Sequence, residues 1–174
     1  ERANQITDAI AIFYDDAVSR YSKVYVFDTS ALVHYPDVLD DFVSNRAMVI
    51  IPKTVLAELD GLKEADDEKT QYRARQAIKK IGEYRDEVWL NLNEDNRIEL
   101  LSESYQEEGK KDFLILSVAL KYRVKLPVMV TDDINFQTVA KSERIEAVTA
   151  HDLHESLVGT SKSGKSKKKK KNKG

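Results

Sequence analysis

The chain has 174 residues, 30 acidic against 28 basic, with a hydrophobic share of 41%. That length suits one domain with an appendage, and that apolar share is enough for a core. The absence of cysteine excludes disulfides, thiolate zinc sites and thiol catalysis, and only three histidines (His34, His151 and His154) leave little for a histidine-rich metal site.

The longest apolar runs, such as Met48–Ile51 and Val128–Val130, are too short to span a bilayer, and no N-terminal stretch has a signal-peptide pattern. The expectation is a cytoplasmic protein with no membrane association. In chain order, Asn4 to Arg20 places Ile6, Ile10, Phe13 and Val18 at roughly helical spacing, a packing helix that sets residues 1–22 apart from a domain over 23–158. Val24–Phe27 is a short buried strand that stops at Asp28-Thr29-Ser30. Pro36 opens a helix over Asp37–Val43, since proline suits a first turn. Ala47–Ile51 is a second strand ended by Pro52, and Lys53–Lys63 is a helix with Val55, Leu56 and Leu59 on one face. After an acidic loop over Glu64–Lys69, Gln71–Tyr84 is a helix with Ala74, Ala77, Ile78 and Ile81 inward.

Arg97–Leu101 is expected as a third strand, and Lys110–Lys121 as a helix with Leu114, Ile115, Val118 and Ala119 on its apolar face. Pro127–Val130 is a fourth strand, ended by Thr131-Asp132-Asp133. Ile134–Lys141 is a helix and Ile145–Thr149 a fifth strand. Strands alternating with helices predict an α/β fold: a three-layer, doubly wound sheet of about five mainly parallel strands with helices on both faces.

Residues 159–174 offer nothing apolar to bury, which predicts a disordered, lysine-rich tail. Setting aside its eight lysines leaves 20 basic residues against 30 acidic ones, so the body is strongly acidic. An acidic body concentrates cations, and a basic tail can hold phosphates without sequence preference. Gly159–Ser166 has the spelling of a P-loop, but it lacks a preceding strand and runs on into lysines, so it is a decoy.

The acids fall at telling places on this scaffold. Asp28 follows the first strand, Asp132 and Asp133 follow the fourth, Asp112 opens the helix after the third, and Glu58 lies about one and a half turns into the helix after the second. All are on the edge where a doubly wound sheet places its ligands. Taken singly, each has a plainer explanation: a strand-end Asp is often a helix cap, Asp112 can counter its own helix dipole, and Glu58 can face solvent. Taken jointly, like charges at one edge repel unless a cation fills the gap, and carboxylate oxygens suit Mg²⁺ or Mn²⁺.

Val26-Phe27-Asp28-Thr29-Ser30 running on to His34-Tyr35-Pro36 resembles the opening strand and turn of PIN domain nucleases, closest to those N-terminal to a PhoH-type ATPase. Ile51–Asp60 is similar to that family's segment carrying its Glu, Ala74–Ala77 to the PhoH-associated subgroup, Asp112–Leu116 to its Asp-x-x-Ile segment, and Val130–Asp133 to its Thr-x-Asp segment. The likeness covers about Val24 to Thr149. It implies Asp28, Glu58, Asp112 and Asp133 as catalytic, metal-binding acids, with Ser30 and Thr131 as hydroxyl supports and Asp132 as a further supporting group. It implies hydrolysis of a phosphodiester, most naturally endonucleolytic and in single-stranded RNA, leaving a 5′-phosphate and a 3′-hydroxyl. It leaves open a homodimer and an ATPase or helicase partner.

Basic residues must hold a nucleic-acid strand against an acidic pocket. The candidates are Arg73, Arg75, Lys79 and Lys80 on one helix, and Lys110 and Lys111 beside Asp112, against the plainer reading of a solvated helix face. Tyr35, Tyr72 and Trp89 could stack bases, but core packing is the favoured reading for each. Two rival functions remain. One is a phosphatase with Asp28 as nucleophile, disfavoured because Ser30 stands where a second Asp is wanted. The other is a non-catalytic RNA-binding or protein-interaction module on a PIN scaffold, disfavoured because all four acids are present.

Overall fold

The computed structural model describes residues 20–165, together with Ala3, Ile6, Thr7 and Ile10. The expected N-terminal helix therefore lies largely outside the described residues, as do residues 166–174 of the tail. Ile6 and Ile10 are helical but exposed, not packed.

Five strands form one sheet: β1 (Lys23–Phe27), β2 (Ala47–Ile50), β3 (Leu90–Asn91), β4 (Val128–Val130) and β5 (Glu146–Val148). Their order is β3-β2-β1-β4-β5, and every pairing is parallel. Central parallel strands are covered on both faces, so they are continuous apolar runs instead of alternating ones. β1, β2 and β4 follow this rule, with burial from Val24 through Phe27 and throughout Ala47–Ile50 and Val128–Val130.

The helices are α1 (Thr29–His34), α2 (Lys53–Leu62), α3 (Glu68–Tyr84), α4 (Glu103–Glu108), α5 (Lys111–Lys121), α6 (Ile134–Ser142) and α7 (Ala150–Lys165), with a 3-10 segment at Pro36–Phe42. The chain winds from β1 out to β3, then crosses to the other side of β1 for β4 and β5. Right-handed crossovers then place the two helix sets on opposite faces. α1, α2, α3 and the 3-10 segment pack together, while α5 lies against β1 and β4. Phe42 anchors the first set, its ring 5.2 Å from Tyr25, 6.0 Å from Phe27 and 6.1 Å from Trp89. No helix among the described residues is long and apolar enough to cross a membrane.

One expectation needs correction, and two further features are made definite. The third strand is Leu90–Asn91, not Arg97–Leu101: the edge of β2 pairs with Trp89 and Asn91, through Val49 N donating to Trp89 O at 2.8 Å and Ile51 N to Asn91 O at 3.0 Å. Ile98–Leu100 is instead a 3-10 turn, and the Arg97 amide just before it donates to Ser117 Oγ of α5 at 2.7 Å. The helix α7 runs to Lys165, past the Gly159 at which the tail was expected to begin, so the P-loop spelling lies largely on a helix. α7 is seated on the domain by His154, whose Nδ1 lies 2.7 Å from Asp41 Oδ2, and by its ring edge-on to Tyr35. Trp89 is buried between Phe42 and Tyr84, in core packing and not in base stacking, whereas Tyr72 is exposed.

β1 and β4 are neighbours at the point where the strand order reverses. Asp28 N donates to Val130 O at 2.9 Å, so the carboxyl ends of both central strands finish side by side. This is the switch point at which such sheets open a crevice.

Candidate active site

That crevice is a pocket of about 360 Å³ lined by Asp28, Thr29, Ser30, Ala57, Glu58, Gly61, Leu62, Lys111, Asp112 and Asp133. All four expected acids face it, each from a different element: Asp28 at the β1–α1 junction, Glu58 from α2, Asp112 from the first turn of α5, and Asp133 at the start of α6.

Asp28 is buried, 6% exposed, and its Oδ2 accepts from Ser30 Oγ at 2.6 Å and Thr131 Oγ1 at 2.7 Å. Burial pushes its carboxyl above the ordinary range despite those hydroxyls and the amides of Thr29 and Ser30, which favour the charged form. Both hydroxyls also accept in return, Ser30 Oγ from the Asp132 amide at 3.0 Å and Thr131 Oγ1 from the Asp133 amide at 3.1 Å. Ser30 and Thr131 thus tie the end of β1 to the turn after β4. Replacing Thr131, fully buried, by Val leaves a carboxylate and an amide each short of a partner. The expected cost is about 1–3 kcal/mol, read as a lower urea midpoint at unchanged slope. An unchanged midpoint would mean that these bonds do not hold the junction.

Glu58 is held from two sides. Thr29 Oγ1 donates to its Oε2, and Lys111 Nζ lies 3.4 Å from its Oε1. Asp133 caps α6, its Oδ1 accepting from the amides of Asn135 at 2.7 Å and Phe136 at 3.2 Å, so the capping explanation and the pocket-lining one hold together. Asp112 is half-buried, and no hydrogen bond from a described residue reaches its carboxylate. Burial raises its pKa, as do the charges of Asp28, Asp133 and Glu58, while Lys110 opposes them weakly. The four acids are therefore electrostatically one site.

Their donor chemistry fits a hard divalent cation: every candidate ligand in the pocket is an oxygen, and no histidine lines it. The four acids line one pocket without three of their oxygens closing to within 4.8 Å of one another. Among the described residues, three ligand atoms of acid or histidine side chains come within 4.8 Å of one another only at His151, Asp152 and Glu155, all exposed at the start of α7.

The other expected residues divide. Asp132 turns away from the pocket: its Oδ2 meets His34 Nδ1 at 2.9 Å and its Oδ1 accepts from the Ala150 amide at 3.0 Å, so it fastens α7 to α1. Lys80 is paired with Asp37, Asp40 and Glu83 at 3.3, 3.1 and 3.0 Å, away from the pocket lining. Lys110 pairs with Glu108 at 2.5 Å. Arg73, Arg75 and Lys79 lie on α3 outside the pocket lining, Arg75 and Lys79 exposed and Arg73 half-buried. Sequence reasoning missed Thr29 as the partner of Glu58. The signal available was a hydroxyl directly after a strand-end Asp.

Known proteins bear on this geometry. No curated protein matches the chain. A solved structure, described as a domain of a functionally unknown protein from Methanocaldococcus jannaschii, is similar at 22% identity with a TM-score of 0.50, covering 73% of this chain and 90% of that one. It speaks for the fold alone. The family model described as PIN domain, a family whose members are generally metal-dependent nucleases, matches residues 25–151. That span contains β2 to β5, all of β1 but its first two residues, and all four acids of the pocket, and by it the chain belongs to the PIN domain family.

Proposed function

We propose that this chain is a divalent-metal-dependent ribonuclease that hydrolyses phosphodiester bonds within single-stranded RNA. The observation that carries the reading is the convergence of Asp28, Glu58, Asp112 and Asp133 on one pocket at the switch point of the sheet. These four carboxylates would hold Mg²⁺ or Mn²⁺, whose chemistry there is to neutralise charge on the reacting phosphate.

The chain's own residues supply the rest. Ser30 and Thr131 fix the orientation of Asp28, Thr29 fixes Glu58, and the first amides of α6 fix Asp133. Asp112, raised in pKa and without a hydrogen-bond donor among the described residues, would orient a water and accept its proton as that water attacks phosphorus in line. The P–O3′ bond breaks, leaving a 5′-phosphate and a 3′-hydroxyl. Exposed Arg75 and Lys79, with the lysines of residues 160–174, carry positive charge that can attract the strand to an acidic body. An ATPase or helicase partner accords with the PhoH-associated likeness of the His34-Tyr35-Pro36 segment, and pairing of two copies with the PIN family at large.

The test is cleavage of 5′-labelled single-stranded RNA by the purified chain with Mn²⁺, with Mg²⁺ and with EDTA. Internal cuts that need the metal are expected. Binding without cutting in either metal would overturn the catalytic reading in favour of a non-catalytic module on the same scaffold.

A further inference from the structure

Lys111 is the only basic side chain among the residues lining the acidic pocket. It stands at the first turn of α5, directly before Asp112, with its Nζ 3.4 Å from Glu58 Oε1. Its side chain is 66% exposed, whereas that of Glu58 is 19% exposed, so the lysine reaches inward from solvent to a carboxylate that is largely enclosed. Glu58 has its other oxygen taken by Thr29. A divalent ion that used Glu58 would meet the ammonium at the same oxygen. Its neighbour Lys110, equally charged, is turned to Glu108 instead.

From this arrangement we propose that Lys111 is a resident counterion. It pairs with Glu58 when no divalent ion is bound, is displaced when one enters, and is thereby freed at the pocket mouth to meet a phosphate of the nucleic acid. The inference rests on the metal-dependent reading of the same pocket. The physical basis is competition: one ammonium and one divalent cation cannot both occupy Glu58 Oε1, and each repels the other. The long, exposed lysine stem makes the exchange cheap, because a strongly hydrated ammonium on a flexible chain loses little on returning to water. Binding the metal then places a free positive charge beside Asp112, at the rim where a phosphate would arrive. Metal occupancy and substrate capture are coupled through one side chain.

The experiment is a Mn²⁺ titration by calorimetry on the full chain, for wild type, Lys111→Met, Lys111→Arg and Lys110→Met, alongside kcat and KM on single-stranded RNA. Lys111→Met is expected to bind Mn²⁺ about threefold more tightly or better, Lys111→Arg to stay close to wild type, and Lys110→Met to change less than Lys111→Met. KM for RNA should rise about threefold in Lys111→Met at saturating Mn²⁺, with kcat within about twofold. Equal or weaker Mn²⁺ affinity in Lys111→Met, or an equal gain in Lys110→Met, would overturn the pairing with Glu58. An unchanged KM beside a tightened metal site would overturn the hand-over to phosphate. If wild type binds no Mn²⁺, the metal reading itself fails and this one with it, an outcome distinct from binding that is indifferent to Lys111.

Discussion

Asp28→Asn removes metal-dependent RNA cleavage while the domain stays folded. The carboxylate sits at the end of the central strand, buried, with its Oδ2 held by Ser30 and Thr131, so an amide of the same shape can keep those bonds through its oxygen. What it loses is the charge. Charge stabilisation by a bound metal is worth several kcal/mol in a transition state, and about 1.4 kcal/mol is a decade in rate, so the expected loss is ~10³-fold or more. Single-turnover rates in Mn²⁺, with circular dichroism as the check on folding, decide it. Activity within tenfold of wild type would take Asp28 out of the chemistry.

Asp112→Asn has effects of opposite sign on activity and on stability. Asp112 is pushed upward in pKa by burial and by Asp28, Asp133 and Glu58, so in the metal-free fold its charged form is disfavoured. A carboxyl raised in this way contributes stability that is present in full below the unfolded value, about 3.9, and is lost as pH rises through the higher folded value. At neutral pH and without metal the charge is therefore a cost, which the neutral amide removes. In EDTA at pH 7 the variant should melt above wild type by no more than a few degrees, since Asp112 is half-exposed and water screens the repulsion, on a scale of about 2–4 °C per kcal/mol for a domain of this size, and the difference should vanish as pH falls toward ~4. Saturating Mn²⁺ should reverse the order, since ligand at 100 times its Kd adds about 2.7 kcal/mol to the protein that binds it best. Cleavage should fall by ~10²-fold or more, as for loss of a proton-accepting group. A variant that melts below wild type in EDTA at pH 7 would contradict the account of the pocket as a repulsive cluster.

Three of the five strands were legible because they are parallel and buried: Val24–Phe27, Ala47–Ile50 and Val128–Val130 are apolar without interruption, and Asp28, Pro52 and Thr131-Asp132-Asp133 stop the runs, while β5, exposed to half-buried at the sheet edge, falls within the expected Ile145–Thr149. β3 was not, because its two residues carry too little pattern, and it is a strand only through bonds to the edge of β2. The apolar residues of Arg97–Leu101 suit a strand as well as a 3-10 turn, and the bond from Arg97 to Ser117 belongs to tertiary structure. α7 was hidden by its polar, glycine-containing sequence. What seats it are Asp132 and Asp41, far away in the chain.

The site shows the same division. Strand-end positions for Asp28 and Asp133, a first turn for Asp112 and the second turn of α2 for Glu58 brought the four to one edge by topology, and the pocket gathers all four. The fate of the basic residues depends on which acids lie nearby in space, as when Lys80 is claimed by Asp37 and Asp40 across some forty residues of sequence. Periodicity cannot supply that pairing, nor the meeting of Thr29 and Lys111 on Glu58.

The most direct test of a divalent cation held by these four acids is a crystal of the chain grown with Mn²⁺ and measured near the manganese absorption edge. An anomalous peak is expected in the pocket between Asp28, Glu58, Asp112 and Asp133, lost in Asp28→Asn. A peak confined to the exposed group of His151, Asp152 and Glu155, with nothing between the four acids, would contradict it.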